Sequence, residues 1–156
     1  MRFQLKHIFI LLISVLFLSS CDEDKYGDWK TLNENWLEKF KNENKDDPDF
    51  FVTESGLCYR MIHEGYYAKP NIESVIYVKY SGKLITGESF ENKTIYLRLS
   101  TMSKGWKEGL PKIREGGRLI LYIPAKLGYG DDGSGAIPPY STLIFDIELK
   151  DVINNW

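Results

Sequence analysis

The strongest constraint on the fold is a set of short segments in which apolar and polar residues alternate. The clearest segment covers residues 142–152, where alternate positions are apolar: Leu143, Phe145, Ile147 and Leu149. Ile144 is an apolar exception on the other side. A period of two is typical of a strand with one face on a core, so this segment predicts a strand.

Other segments extend the pattern. Residues 75–80, 95–99 and 118–123 are β-branched or alternating, and 51–64 reads as a strand interrupted at Gly56. Between them, Ser103 is placed to cap a short helix whose apolar face holds Trp106, Leu110 and Ile113. Pro111 should shorten or kink that helix, because proline removes a hydrogen bond. Short strands around one helix predict an α+β domain.

The N-terminal residues have the pattern of an export signal. Arg2 and Lys6 precede an apolar run over 8–18, which is too short for a typical transmembrane helix. The run ends in Leu18-Ser19-Ser20-Cys21, which resembles the lipobox of bacterial lipoproteins. By that resemblance residues 1–20 are a signal peptide and Cys21 is lipidated; a plain signal peptide with a chance cysteine is the alternative.

An amphipathic helix is predicted over residues 28–44, with Asp28 as its N-cap. One stripe is apolar: Trp29, Leu32, Trp36, Leu37 and Phe40. Lys, Glu and Asn are expected on the other face. A helix this short is marginal alone, so the stripe should pack on its own domain or on a second copy as a homodimer.

Composition narrows the functional classes. The net charge of −2 is spread over mixed signs, whereas a nucleic-acid surface needs a basic excess. The only histidines are His7 and His63, so the sequence has no His/Cys metal cluster and no Ser–His–Asp set. We therefore expect no nucleic-acid partner, metal or cofactor. Cys58, in an apolar strand, is expected to be a buried core thiol.

Several motifs occur in a fixed order along the second half of the chain. They are Val78-Lys79-Tyr80-Ser81-Gly82, Ser89-Phe90-Glu91, Gly105-Trp106-Lys107-Glu108-Gly109-Leu110, Ile123-Pro124-Ala125-Lys126-Leu127-Gly128-Tyr129-Gly130, Ile137-Pro138-Pro139 and the strand from Ser141 to Leu149. The series resembles the FKBP-type peptidyl-prolyl isomerases. The resemblance implies a twisted antiparallel sheet half-wrapped around a short helix. It divides the chain into a tether and helix over 21–50 and an isomerase domain over 51–156, with a core match over 74–152.

The resemblance also assigns roles. An aromatic and apolar pocket would be lined by Tyr80, Phe90, Trp106, Tyr129, Ile137 and Phe145. Trp106 would be the floor under a substrate prolyl ring, and Tyr129 would donate its hydroxyl to a substrate carbonyl. Met102 and Ser103 match positions that offer backbone groups and an apolar side chain. Substrates would be proline-containing polypeptides at the cell envelope, on the periplasmic side or the cell surface.

Several positions depart from the family pattern. Ile95 and Leu97 stand where the family has aromatic residues in the strand before the helix. Glu91 replaces the usual aspartate that supports the pocket tyrosine, Ser103 replaces an isoleucine, and Ala136 is small where a larger aliphatic residue often lies. These changes imply a shallower and more polar pocket. They keep two alternatives open beside a lipid-anchored isomerase: a binding or chaperone lipoprotein with weak isomerase activity, and a structural lipoprotein that dimerises through residues 28–44.

Overall fold

A computed structural model describes residues 25–154 of the chain. The predicted signal peptide and Cys21 lie outside the described residues. Within the described range, no helix is long and apolar enough to cross a membrane.

The secondary structure consists of six strands and two α-helices in this range, joined by short 3₁₀ turns. The elements are α1 (Gly27–Asn44), β1 (Phe50–Val52), β2 (Cys58–His63), β3 (Val75–Leu84), β4 (Ser89–Arg98), α2 (Lys104–Gly109), β5 (Arg118–Ile123) and β6 (Leu143–Ile153). The strands form one antiparallel sheet in the order β1-β2-β5-β6-β3-β4. The α+β prediction is confirmed.

The main core lies between one face of the sheet and α2. The alternating residues of β6 are buried there, and so are the corresponding residues of β5: Leu119, Leu121 and Ile123. Since successive side chains of a strand point to opposite faces, the alternation seen in the sequence fixes which face receives α2. As predicted, α2 is short: it ends at Gly109, and a 3₁₀ turn containing Pro111 follows.

The opposite face of the sheet is covered by α1. Leu37 is buried in a second cluster there, and Phe40 packs on Tyr122 of β5 with ring centroids 4.4 Å apart. Ile120 and Ile144 pack on the same cluster. The apolar exception at Ile144 is therefore explained by this second layer, and the helix stripe packs on its own domain.

Two details of the predicted helix were wrong. Asp28 lies inside the first turn, and Tyr26 takes the N-cap position without a side-chain cap. Leu32 is 52% exposed, whereas Asn33 is only 1% exposed. Relative to Trp29 and Phe40, Asn33 points closer to the centre of the packing face than Leu32 does, because each residue turns the helix by 100°.

The strands around the first hairpin are longer than the sequence indicated. β3 continues through Ser81-Gly82 to Leu84, and β4 begins at Ser89 instead of Ile95. A register shift falls between Gly82 and Lys83. Such an irregularity turns side chains locally, and here it lies beside Phe90.

Candidate functional site

Four rings from four different elements meet at one end of the main core. Tyr80 comes from β3, Phe90 from β4, Trp106 from α2 and Phe145 from β6. Trp106 is 1% exposed; its ring centroid lies 5.0 Å from that of Tyr80 and 5.3 Å from that of Phe145. Phe90 and Phe145 are 5.5 Å apart and nearly perpendicular. We call these four residues the aromatic cluster.

Gly82 makes room for the aromatic cluster. It pairs with Phe145 on one side and with Glu91 on the other. A Cβ added at Gly82 would lie 2.4 Å from Cε2 of Phe90 and 2.9 Å from Cε1 of Phe145, well inside the contact distance of about 3.5 Å between carbon atoms. A side chain here would displace both rings.

Two glycines bring α2 close to the sheet and so place Trp106. A Cβ at Gly105 would lie 2.6 Å from Cγ2 of Ile123, and one at Gly109 would lie 2.5 Å from Cδ2 of Leu121. These positions are four residues apart, so they share the face of the helix that rests on β5. Trp106 lies between them in sequence and reaches the end of the core.

The hydroxyl of Tyr80 stays protonated. Burial raises the pKa of Tyr80 far above its ordinary value of 10.0, and the nearby Glu91 carboxylate and Tyr129 phenol raise it further. A neutral phenol is a hydrogen-bond donor. Tyr80 therefore presents a neutral donor at all physiological pH values.

Glu91 has a second partner that the sequence did not indicate. Its Oε1 accepts a hydrogen bond from Lys93 Nζ at 2.5 Å, on the same side of β4. The carboxylate is thus shared between the neighbourhood of Tyr80 and an exposed ammonium group. The predicted support of the pocket tyrosine by this carboxylate stays a prediction.

The loop between β5 and β6 supplies the remaining predicted residues. Ile137 is buried in the main core, Ala136 is exposed, and Tyr129 is 42% exposed. Ile137 is held by reciprocal backbone hydrogen bonds with Ser134 at 2.8 and 2.9 Å. Tyr129 is close enough to affect the pKa of Tyr80, so the loop carries one exposed tyrosine near the aromatic cluster and one isoleucine buried in the same core.

The residues before α2 lie at the helix entrance. Met102 is partly buried against the main core. Ser103 takes the predicted N-cap position, but its side chain makes no capping hydrogen bond. Its backbone carbonyl accepts a hydrogen bond from Lys107 N at 3.1 Å. The more polar character that the sequence predicts at this position therefore comes from the Ser103 side chain.

Cys58 lies away from the aromatic cluster, among the residues that pack under α1. Cys58 is fully buried under α1, and burial raises the pKa of its thiol from 9.0 to about 11, which disfavours the nucleophilic thiolate. In residues 25–154 no group of three or more His, Cys, Asp or Glu side chains could hold a metal ion.

A cleft between α1 and the loop after β5 lies away from the aromatic cluster. Its volume is about 410 Å³, and it separates α1 at Leu37 and Lys41 from Lys126 and Thr142. A smaller cavity of about 230 Å³ touches Tyr80 and Arg118. The aromatic cluster is therefore distinguished by its converging rings and not by the volume of the cavity beside it.

Sequence reasoning missed the residues that position the site. Gly82, Gly105 and Gly109 act through the absence of a side chain, and only the register and the helix approach reveal this. Trp29 donates from Nε1 to Ser141 Oγ at 3.0 Å, which joins α1 to the loop that carries Ile137. The signal for that contact in the sequence was a tryptophan in the first turn of an otherwise polar helix start.

Comparison with known proteins identifies the family. The model of the family described as FKBP-type peptidyl-prolyl cis-trans isomerase matches residues 67–150. This chain belongs to that family. The resemblance drawn from the ordered motifs is thereby confirmed.

Individual FKBP-type relatives agree with this. The chain is 36% identical over 135 residues to the FKBP-type peptidyl-prolyl cis-trans isomerase FkpA of Escherichia coli strain K12, covering 83% of this chain and 48% of that protein. It is 38% identical over 121 residues to a probable FKBP-type isomerase of Haemophilus influenzae, covering 74% of this chain and 50% of that protein. The chain spans about half the length of the curated relatives it matches.

A solved structure extends the comparison to the fold. The crystal structure of FkpA from Escherichia coli superposes with a TM-score of 0.78 at 30% identity, covering 97% of this chain and 73% of that chain. The predicted fold of an antiparallel sheet around a short helix, preceded by an N-terminal helix, is confirmed.

Proposed function

We propose that this chain is a peptidyl-prolyl cis-trans isomerase that binds Xaa-Pro segments at the aromatic cluster. One observation carries the proposal: four rings from β3, β4, α2 and β6 converge edge to face, beside a buried Ile137 and an accessible Tyr129. Family membership supports it. The substrates are proline-containing polypeptides.

The chemistry fits a site of this composition. Rotation about a peptide bond is opposed by about 18–20 kcal/mol, because the planar amide is stabilised by resonance. At the twisted transition state the amide loses conjugation and polarity, so an apolar, dry surface favours it over the planar, hydrated ground state. This is differential binding of the transition state. It requires no nucleophile, which agrees with a site built from aromatic rings.

Each group in the site then has a role. The indole of Trp106 is the floor for the prolyl ring, and Phe90, Ile137 and Phe145 are walls. The Tyr129 hydroxyl donates to a substrate carbonyl and orients the bond that rotates. Tyr80, a neutral phenol, closes the apolar surface without introducing a charge.

A second candidate function is polypeptide binding with little isomerisation. Glu91 paired with Lys93 and the hydroxyl of Ser103 favour it, because both add polarity to a site that works by excluding it. Under this alternative the fold captures proline-containing segments, and a shallower pocket fails to distinguish the twisted amide from the planar one.

A protease-free assay of isomerisation on an Xaa-Pro peptide separates the two. Catalysis above the uncatalysed rate at micromolar protein supports the isomerase. Binding of the peptide without catalysis, together with a large gain of activity in a Glu91→Asp, Ser103→Ile double variant, would favour the binding module instead.

We further propose that the chain works at the cell envelope, anchored by lipid on Cys21. The basic residues Arg2 and Lys6, the apolar run over 8–18 and the sequence Leu18-Ser19-Ser20-Cys21 support this. Stable anchoring takes two lipid signals, which a diacylated cysteine provides. Mass spectrometry of the membrane-extracted protein tests it: an unmodified Cys21, or a Cys21→Ser variant that stays in the membrane fraction, would refute the anchor.

Homodimerisation through residues 28–44 stays a prediction with narrower support. The helix uses Leu37 and Phe40 within its own domain, so Leu32 is the large apolar side chain it offers to a second copy. Analytical ultracentrifugation of wild type and Leu32→Asp decides the matter. A wild-type monomer mass at tens of micromolar would exclude this dimer.

A further inference from the structure

The segment over residues 137–142, here called the wall segment, joins the pocket wall to β6. It begins at Ile137 and ends one residue before the strand that carries Phe145. Its backbone is unusual at Tyr140, where φ is +62°. Tyr140 is the only non-glycine residue within 25–154 that has a positive φ. A left-handed non-glycine residue costs about 1–3 kcal/mol and persists only where its surroundings hold it.

Side chains from the first turns of α1 hold the wall segment in this conformation. Asn33 Oδ1 accepts a hydrogen bond from the backbone N–H of Thr142 at 2.7 Å. Trp29 Nε1 donates to Ser141 Oγ at 3.0 Å, and Ser141 Oγ donates in turn to the carbonyl of Pro138 at 2.7 Å. These bonds connect the helix directly to Ser141 and Thr142, and through Ser141 to Pro138.

The contact is buried and oriented. Asn33, Ser141 and Thr142 are all buried. Asn33 Nδ2 donates to the carbonyl of Trp29 at 2.8 Å, so both ends of the amide are engaged and its orientation is fixed. Lys30 Nζ lies 5.2 Å from the centroid of the Tyr140 ring, within the range of a cation–π contact. The buried hydrogen bond between Asn33 and Thr142 favours one alignment of α1 on the wall segment, because any other alignment would leave these polar groups buried and unpaired.

We propose that Asn33 and Trp29 are positioning residues of the isomerase site, which fix the wall segment and through it Ile137 and Phe145. The inference rests on the proposed function. A pocket that distinguishes a twisted from a planar amide depends on its walls being held within a fraction of an ångström. The helix α1 then belongs to the site although it contributes none of the pocket residues named above.

The test compares two variants on the same helix. Asn33→Ala removes the acceptor of Thr142 N–H, whereas Leu37→Ala removes buried apolar contacts with the cluster around Cys58 and Tyr122. Loss of stability alone would affect both. We measure kcat and KM for isomerisation of an Xaa-Pro peptide in the full chain, at a temperature where urea titration shows each variant folded.

The expected result is a fall in kcat/KM for Asn33→Ala that exceeds that for Leu37→Ala at least fivefold, even where Leu37→Ala is the less stable protein. Trp29→Phe keeps an aromatic ring but loses the indole N–H, so its kcat/KM should lie between those of the other two variants. A difference below fivefold between Asn33→Ala and Leu37→Ala overturns the inference.

A second readout does not depend on activity. The methyl resonances of Ile137 should shift in Asn33→Ala and stay in place in Leu37→Ala. If the wild type shows no isomerase activity, the proposed function fails, and these methyl shifts alone decide whether α1 positions the wall segment. Unchanged Ile137 resonances in Asn33→Ala would overturn the positioning role.

Discussion

Gly82 is the position where one added methyl group should disturb the aromatic cluster most directly. The Cβ of Gly82→Ala would lie 2.4 Å from Phe90 Cε2 and 2.9 Å from Phe145 Cε1. Carbon atoms pack at about 3.5 Å, so the Phe90 ring must move by about 1 Å. Overpacking of this kind costs about 1–3 kcal/mol. We expect that loss in urea unfolding followed by tryptophan fluorescence, and weaker binding of an Xaa-Pro peptide.

A double-mutant cycle isolates the cause. Phe90→Leu removes the ring atoms that the new methyl group meets, so Gly82→Ala should cost less in that background, with a coupling of about 1 kcal/mol. Gly87→Ala is the control, because its Cβ meets nothing within 4 Å and its cost comes from a φ of +87°; it should add to Phe90→Leu without coupling. Additivity of Gly82→Ala and Phe90→Leu within about 0.5 kcal/mol would show that the rings do not meet as described.

Three further predictions concern stability. Because the raised pKa of Cys58 favours the neutral thiol in the folded state, its contribution to stability is complete below pH 9.0 and is lost as the pH rises to about 11. The loss should be on the order of 2–3 kcal/mol, and Cys58→Ala should flatten the dependence of urea stability on pH over that interval. Gly109→Ala should cost about 1–3 kcal/mol in the same titration, because its Cβ would meet Leu121 Cδ2 at 2.5 Å. Arg118→Ala should cost less than about 1 kcal/mol, since its ion pair with Asp146 is exposed to solvent.

Each of these has a clear contrary result. A Cys58→Ala protein with the alkaline profile of wild type would show that the thiol does not titrate in this interval. Wild-type stability in Gly109→Ala would mean that α2 does not rest on Leu121. A loss of several kcal/mol in the unfolding free energy of Arg118→Ala would show that the ion pair is shielded from solvent.

The parts of the fold that periodicity encodes could be predicted from the sequence. β5 and β6 were found within one residue of their ends, because alternation at period two records which side chains meet the core. The end of α2 before Pro111 is also predictable, because proline disrupts a helix locally. Ile144 breaks the alternation, and the sequence near it does not explain why. The residue packs in a second layer that forms only when α1 folds over the sheet.

The missing parts depend on contacts between distant segments. The sequence predicts Asn33 on the solvent face, because a polar residue in a helix is usually exposed; its partner, the N–H of Thr142, is far along the chain. The sequence predicts strands over 75–80 and 95–99, whereas β3 continues through Gly82, which accommodates Phe90, and β4 begins at Ser89. The ordered motifs identified the aromatic residues, whereas the glycines and the helix that position them have no motif of their own.

The measurement that tests the central claim most directly is exchange of cis and trans signals of an Xaa-Pro peptide by nuclear magnetic resonance, with wild type and Tyr129→Phe. The account predicts exchange far above the uncatalysed rate with micromolar wild-type protein. It predicts about a tenfold loss for Tyr129→Phe, because one hydrogen bond to the substrate is worth about 1–1.5 kcal/mol. An uncatalysed rate with folded wild-type protein would contradict the account.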